Sequence, residues 1–296
     1  MNKIFRFVRS YKILLFGIVF TLLMYSIVKD VHEIILVSST HQNKCVPIIM
    51  YHQVKNTNLG KDVISPYEFE SDLKYLKDNN YTTITMEQLI KYVYEDEELP
   101  PNPIILSFDD GYLSTYRYVY PLLQEYDMKI VLSIIGKSID DFSKVSDNHI
   151  EYAYITWDQV QEMGRSGNVE VQNHTYNLHK VKNGRYGCYQ KVDESLMDYE
   201  QLLTEDISKL QVKIDELTDK APNTFTYPYG KYNDNTETVI KKLGFKASLS
   251  CTFGVNLISK DNPDKLFGLK RICRSHNKSI DNMISEGLKT LKYISE

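Results

Sequence analysis

The sequence predicts an α/β fold: a distorted or incomplete (β/α) barrel of about seven parallel strands, preceded by one N-terminal transmembrane helix. Three observations predict it. Short apolar runs alternate with capped amphipathic stretches from residue 46 to the C-terminus, which is the pattern of parallel βα units. Several of those runs end in residues that carry chemistry, and in such folds the carboxyl ends of the strands are where ligands gather. Ahead of them lies one uninterrupted apolar stretch, Ile13–Val28.

Lys3, Arg6, Arg9 and Lys12 precede that stretch, and no acid occurs before Asp30. A basic flank of this kind stays in the cytoplasm. The stretch is short against the roughly 20 residues of a full span, but tilt or local thinning accommodates it. A cleaved leader, giving a secreted protein, is the competing reading, yet no small-x-small site follows Val28. The expected layout is residues 1–12 in the cytoplasm, 13–28 as signal anchor, 29–45 as linker and 46–296 as one extracellular domain. Within the linker, Ile34–Val37 is apolar enough to pack on something.

With 296 residues and 42% hydrophobic content, the chain can bury one sizeable core. A formal charge of −4, with basic residues scattered rather than striped, gives no support for nucleic-acid binding. Cys45, Cys188, Cys251 and Cys273 form no C-x-x-C pair, which argues against a cysteine zinc site. Outside the cell they have three possible pairings if all are bridged; buried free thiols are the equal alternative.

In order along the chain, Val46–Met50 is an apolar run that ends in Tyr51 and His52. Ser65-Pro66-Tyr67-Glu68 is a capping box with proline at the first helical position, and Phe69, Leu73 and Leu76 then share one face. Thr85 and Gln88 repeat the box for a helix to about Tyr94. Ile104–Leu106 is a buried strand running into Asp109-Asp110-Gly111, where glycine permits a tight turn. A helix follows near Tyr116–Tyr126, then a strand over Lys129–Ile135. Residues Gly136–Tyr154 are polar and read as an irregular excursion. Thr156 and Gln159 cap a helix that stops at Gly164–Gly167, and Val169–Gln172 is a strand leading to Asn173 and His174. Tyr199–Lys220 carries Leu203, Ile207, Leu210, Ile214 and Leu217 on one stripe, explained more simply by a helix on a sheet than by a coiled coil. Strands at Thr224–Tyr227, Phe245–Ser250 and Leu269–Cys273, a helix around Thr236–Leu243 and a last helix from Ser279 complete the pattern.

Four loaded groups therefore fall at one edge: His52, the pair Asp109 and Asp110, the pair His174 and His179, and Tyr227-Pro228-Tyr229-Gly230. Two adjacent carboxylates at the end of an apolar strand repel unless a cation or proton is shared. Histidines five apart do not share a helix face, so the chain must bend between them to bring both rings to one point. Joined to one aspartate, they make a two-histidine, one-carboxylate set with open positions, suited to zinc or to iron, cobalt or nickel. The remaining aspartate is free to accept a proton from a metal-bound water, which is what metal-assisted hydrolysis requires. Backbone N–H groups at Tyr229 and Gly230 are candidate oxyanion donors, against the plain reading of a tight turn.

The ordered set MYH (Met50–His52), SFDDG (Ser107–Gly111), HTYNLH (His174–His179) and YPYG (Tyr227–Gly230) resembles the polysaccharide deacetylases of carbohydrate esterase family 4. The histidine spacing and the MYH motif are most similar to the extracellular branch of poly-N-acetylglucosamine deacetylases. The similarity spans roughly Val46–Cys273. It implies a metal-dependent de-N-acetylase on a distorted (β/α) barrel; with the N-terminal anchor and the donor set, the expectation is a membrane-anchored enzyme acting on an N-acetylated polysaccharide (biofilm polymer or peptidoglycan), with Zn2+, or else Co2+, Ni2+ or Fe2+, as metal. By position it implies Asp109 as catalytic base, Asp110, His174 and His179 as metal ligands, Tyr229 N–H in the oxyanion hole and His52 as general acid. Two departures stand out. Many members carry a base-orienting arginine shortly before the proline motif, where this chain has Pro222-Asn223-Thr224-Phe225; Arg271 is a candidate substitute, or else a fold-stabilising residue. The leucine-histidine motif of other branches is unclear, and His276 reads as structural. Tyr112, Tyr176, Tyr227, Tyr229 and Tyr232 offer flat faces to sugar rings or ordinary packing. The rival readings are an O-acetyl esterase, an inactive glycan-binding protein and an iron(II) oxygenase.

Overall fold

The computed structural model describes residues 24–25, 43–145 and 147–292. The chain divides into residues 1–44 and 45–296. In the first unit Met24 and Tyr25 are helical and exposed; the remainder of the apolar stretch 13–28, and most of the linker, lie outside the described residues. Among the described residues no helix is long and apolar enough to cross a membrane.

In the second unit seven strands, all paired in parallel, close on themselves. They are β1 (Ile48–Tyr51), β2 (Pro103–Asp110), β3 (Ile130–Ile134), β4 (Val169–Asn173), β5 (Thr224–Thr226), β6 (Ala247–Phe253) and β7 (Leu269–Cys273). Each neighbours the next in sequence, and β1 pairs with both β2 and β7 to complete the ring. The expected (β/α) barrel is therefore the fold. Helices α1 (Pro66–Asp78), α2 (Met86–Tyr94), α3 (Tyr120–Tyr126), α4 (Gly136–Phe142), α5 (Trp157–Arg165), α6 (Leu196–Thr218), α7 (Asp234–Lys242) and α8 (Ile280–Lys292) accompany them. The capping boxes at Ser65, Thr85 and Thr156 all form.

Alternation along the strands sorts the side chains into two layers. Ile49, Tyr51, Leu106, Phe108, Ile130 and Leu132 face outward, joining Phe69, Leu73 and Leu76 of α1 in one buried cluster. Ile48, Ile105, Val131, Leu249 and Leu269 alternate with them and pack with Met86, Leu89, Ile90 and Val93 of α2. The barrel interior thus starts apolar at the amino ends of the strands. It turns polar toward the carboxyl ends, where Ser107, Ser133, Thr226 and Arg271 are buried. That gradient leaves one end of the barrel able to hold charge.

The distortion lies between β4 and β5, which share only the register pair Phe225–Asn173. Side chains replace the missing ladder bonds. Gln172 Oε1 accepts from the N–H groups of Asn223 and Thr224, at 3.0 and 2.9 Å, and its Nε2 donates to Asn223 Oδ1 at 2.8 Å. Asn173 Nδ2 donates to Ile207 O on α6 at 3.0 Å. The α6 stripe packs on this opening, with Leu203 and Ile207 in a cluster with Phe225 and Leu210 and Ile214 in the cluster of β3 and β4. One helix on a sheet, rather than a coiled coil, is what the stripe encodes.

Two stretches differ from expectation. The excursion Gly136–Tyr154 opens with α4, hidden in the sequence by its polar composition; its first N–H groups, on Gly136 and Lys137, donate to the carbonyls of Thr175 and Tyr176. A hairpin, Val181–Lys182 with Arg185–Tyr186, follows His179. All four cysteines are free thiols, so the disulfide alternative does not hold.

Candidate metal centre

Consecutive strand residues point to opposite faces, so Asp109 and Asp110 would diverge if β2 continued straight. It does not. Asp110 adopts φ 76° and Gly111 φ 84°, turning the chain so that both carboxylates stand at the carboxyl end of the barrel. A third left-handed residue, Thr175 at φ 74°, follows His174 directly. For a β-branched residue this is a strained conformation, and the surroundings hold it: Thr175 N–H donates to Asn173 Oδ1 at 2.9 Å. The bend between the histidines is pinned further by Asp206 of α6. Its two carboxylate oxygens accept from Tyr176 N–H at 2.8 Å and Asn177 N–H at 2.9 Å.

This bend brings the five-apart histidines together. Asp110 Oδ1 lies 3.6 Å from His174 Nε2 and 3.5 Å from His179 Nε2. Two ligand atoms each about 2.1 Å from a tetrahedral ion would be separated by about 3.4 Å, so the spacing fits a shared divalent cation. Among the described residues Asp110, His174 and His179 are the one group of three or more such ligands this close together. Asp110 Oδ1 is buried and has no hydrogen-bond partner, a costly state that a cation relieves. His174 Nδ1 lies 2.7 Å from Thr226 O. A carbonyl only accepts, so Nδ1 carries the proton and Nε2 presents its lone pair to the site. Burial first, then the neighbouring His179, pushes the His174 pKa down to about 3, which keeps the ring neutral and able to ligate.

Asp109 faces different company. Arg271 Nη1 and Nη2 donate to its Oδ1 and Oδ2 at 2.8 and 2.9 Å, a bidentate pair between fully buried partners. Arg271 is itself held by Nε to Ser250 O at 2.7 Å and Nη1 to Ser107 Oγ at 3.2 Å. Burial alone would raise the Asp109 carboxyl; the Arg271 guanidinium and the nearby histidines overcome it and hold the group well below the usual carboxylate range. Asp110, one residue on, is raised instead: burial and the neighbouring Asp109 outweigh what the facing histidines and the Tyr112 hydroxyl do to lower it. The two aspartates are therefore differentiated, one fixed as a carboxylate by arginine and the other aimed at two imidazoles.

His52 follows β1, whose register pairs Tyr51 with Phe108 and so sets His52 beside Asp109. Its buried Nδ1 has no partner among the described residues. Tyr229 occupies the proline turn in the left-handed region, φ 58° and ψ 11°, with its ring centroid 4.4 Å from that of His179. The candidate residues His52, Asp109, Asp110, His174, His179 and Tyr229 thus gather at one end of the barrel. Of the other tyrosines, Tyr112 faces Asp110, but Tyr227 stacks on Tyr232 in the packing and Tyr176 bonds Asp140. His276 is structural as expected, its Nδ1 2.9 Å from the capping Glu68. Sequence reasoning missed Asp206 and the carbonyl of Thr226. A backbone carbonyl leaves no signature; an acid bordering the apolar stripe of α6 was a usable hint.

Fold and site together define a (β/α) barrel carrying a two-histidine, one-carboxylate centre beside an arginine-paired aspartate. Residues 96–248 match the family model described as polysaccharide deacetylase. The chain belongs to that family. It is 26% identical over 224 residues to the poly-beta-1,6-N-acetyl-D-glucosamine N-deacetylase of Escherichia coli K12, covering 70% of this chain and 33% of that protein. It is 25% identical over 214 residues to the enzyme of that name from Staphylococcus aureus, covering 68% and 70%. With Bacillus subtilis YxkH it shares 28% identity over 205 residues, 69% of this chain and 64% of the relative. The chain thus spans under two thirds of the length of YxkH and a third of the Escherichia coli protein. Among solved structures, a de-N-acetylase from Aggregatibacter actinomycetemcomitans superposes with a TM-score of 0.71 at 24% identity, covering 83% of this chain and all of that one. IcaB from Ammonifex degensii superposes with a TM-score of 0.64 at 23% identity, over 83% and 97%. These structural likenesses bear on the fold.

Proposed function

We propose that this protein is a metal-dependent hydrolase that removes N-acetyl groups from N-acetylglucosamine units of a cell-surface polysaccharide, either a biofilm glucosamine polymer or peptidoglycan. The observation that carries the reading is the division of labour between adjacent aspartates: Asp109 locked ionised by Arg271, and Asp110 unpaired against His174 and His179. The printed names of the Escherichia coli and Staphylococcus aureus relatives support the substrate class.

Asp110, His174 and His179 would hold the cation, zinc by preference with cobalt, nickel or iron as alternatives. When bound, it would acidify a water and polarise the acetamide oxygen. Asp109 accepts the proton of the attacking water, its carboxylate aimed by the guanidinium fork. The Tyr229 N–H stabilises charge developing on the acetamide oxygen, and the strained turn presents it. His52 delivers a proton to the departing nitrogen as the C–N bond breaks. Acetate and a free amino sugar are the products. We further infer that residues 13–28 anchor the chain, with residues 46–296 outside the cell, from the basic flank before Ile13.

The test is acetate release from N-acetylglucosamine oligomers and from peptidoglycan by chelator-stripped protein given zinc, cobalt or nickel. Metal-restored release that disappears in Asp109→Asn supports the reading. Release from O-acetylated sugars alone would transfer it to an esterase, and stoichiometric metal with no release from any substrate would overturn it.

A further inference from the structure

Successive barrel strands are joined through α-helices everywhere except between β6 and β7. There the chain runs as a short strand, Asn256–Ser259, and a 3-10 turn, Pro263–Leu266. The ladder beneath is irregular as well. Leu249 pairs with Leu269 and Phe253 with Arg271, so three residues of β6 lie opposite one of β7 between those points. The Asn256 amide closes the gap: its Nδ2 donates to Lys270 O and its Oδ1 accepts from Lys270 N–H, both at 2.9 Å. A sheet face without a helix over it leaves apolar surface to be covered. Here a cavity of about 390 Å³ remains.

The cavity walls are chiefly apolar, from Val255, Leu257, Ile258, Phe267, Leu269 and Leu291, and Lys265 and Lys270 line it too. A Cβ at Gly254 would sit 2.9 Å from Lys270 Cδ, so the Lys270 stem lies against bare backbone. Lysine stems commonly spread along apolar walls while the ammonium stays accessible. What sets these two apart is the lack of an acid. Nearby Lys241 meets Glu237 and Asp264 at 2.9 and 3.0 Å, and Lys260 meets Asp96 and Glu98 at 2.5 and 2.6 Å. Among the described residues neither Lys265 nor Lys270 has such a partner, although Asp264 adjoins Lys265 in sequence.

We propose that this cavity is a binding site for a single-chain anionic amphiphile, a fatty acid, with its acyl chain between the apolar walls and its carboxylate on Lys265 and Lys270. Apolar walls beside two unpaired cations select an apolar body with a negative head, and a carboxylate there makes charge-assisted hydrogen bonds. The volume lies near the small end of the range for small-molecule sites, roughly 300–1,000 Å³, which suits one hydrocarbon chain rather than two. None of the lining residues belongs to the metal centre, and the inference does not rest on the deacetylase reading.

The experiment titrates the full chain, loaded with zinc, by calorimetry with octanoate, decanoate and decanol, each below its aggregation concentration. Decanoate should bind one to one and raise the melting temperature. From octanoate to decanoate the affinity should rise about three- to fourfold per added methylene. Lys265→Met combined with Lys270→Met keeps both stems and removes both charges. It should weaken decanoate about five- to tenfold and leave decanol unchanged. Leu257, 42% exposed at the cavity edge, can be enlarged without disturbing the core, and Leu257→Trp should remove saturable decanoate binding. Without ligand, both variants should melt at the parent temperature. Decanoate affinity that neither variant changes would place the ligand elsewhere, on the apolar stretch Ile13–Val28 for instance, and would overturn the proposal. Binding lost in Leu257→Trp but unchanged in the double lysine variant would also overturn it, because the cavity would then take an uncharged ligand.

Discussion

At the scale of the residue, one dipeptide carries two opposite electrostatic assignments. Asp109 and Asp110 are neighbours, yet only Asp109 meets Arg271, because the left-handed turn at Asp110 sends its carboxylate toward the histidines. Asp109→Asn should therefore lower kcat by about 10²–10⁴-fold, the usual worth of a general base, with metal content unchanged by atomic absorption. Arg271→Met makes a separate prediction. Removing the guanidinium leaves a buried, unpaired carboxylate, costing about 3–5 kcal/mol in a denaturant titration. The sign of the pH effect follows from what Arg271 does to its partner. It holds the Asp109 carboxyl down against burial, so without it the pKa rises. The base is then protonated at a pH where the parent is ionised, and the acidic limb of the kcat/KM profile should move to higher pH. A limb that stays put would mean that Asp109 is not the titrating base.

At the scale of the element, the strand-to-loop exit from β4 converts a sequence spacing into a candidate ligand pair. His174 and His179 meet because Thr175 takes a left-handed conformation and because Asp206 on α6 accepts two successive N–H groups from the bend. Asp206→Ala should leave both histidines in place but unsupported, and metal affinity measured by chelator competition should fall about 10–100-fold, as it does when groups supporting the ligands are lost. Much of this element was legible beforehand. The apolar run Val169–Gln172 and the need for a bend between the histidines follow from residue types alone. What closes the bend did not, because Asp206 is thirty residues downstream and pairing across that distance has no periodic signal. The same holds for Arg271, legible only as one of two alternatives until β7 was seen beside β6, with the guanidinium reaching across to β2. Helix α4 was hidden for a local reason: its sequence, GKSIDDF, has only two strongly apolar residues, Ile139 and Phe142, and its first N–H groups are satisfied by loop carbonyls rather than by a capping side chain.

At the scale of the whole molecule, the barrel sorts its interior by polarity. Alternation and capping were enough to read the seven strands and the edge that bears the site, since both are local patterns. The open β4–β5 seam was not, since Gln172 and Asn173 look like ordinary strand-end polar residues until their partners on the next strand and on α6 are known. The same strand carries one more carboxyl group tied to a helix. Glu170 accepts from the N–H groups of Met86 and Glu87 at 2.7 and 2.9 Å, closing the first turn of α2 from across the barrel. Burial raises its pKa from 4.5 to about 7, with the two N–H bonds opposing. In the unfolded chain this carboxyl loses its proton near pH 4.5, while the folded protein keeps it until about pH 7. Between those values the folded state binds more protons, so this group's contribution makes stability fall as pH rises and then level off above pH 7. Glu170→Gln removes the titration while keeping one acceptor for α2. In urea titrations from pH 4.5 to 8, the parent protein should lose stability relative to Glu170→Gln up to about pH 7, and the difference should then be constant. A difference that is flat from pH 4.5 upward would show that Glu170 is already ionised throughout, its burial outweighed by the helix N-terminus it caps.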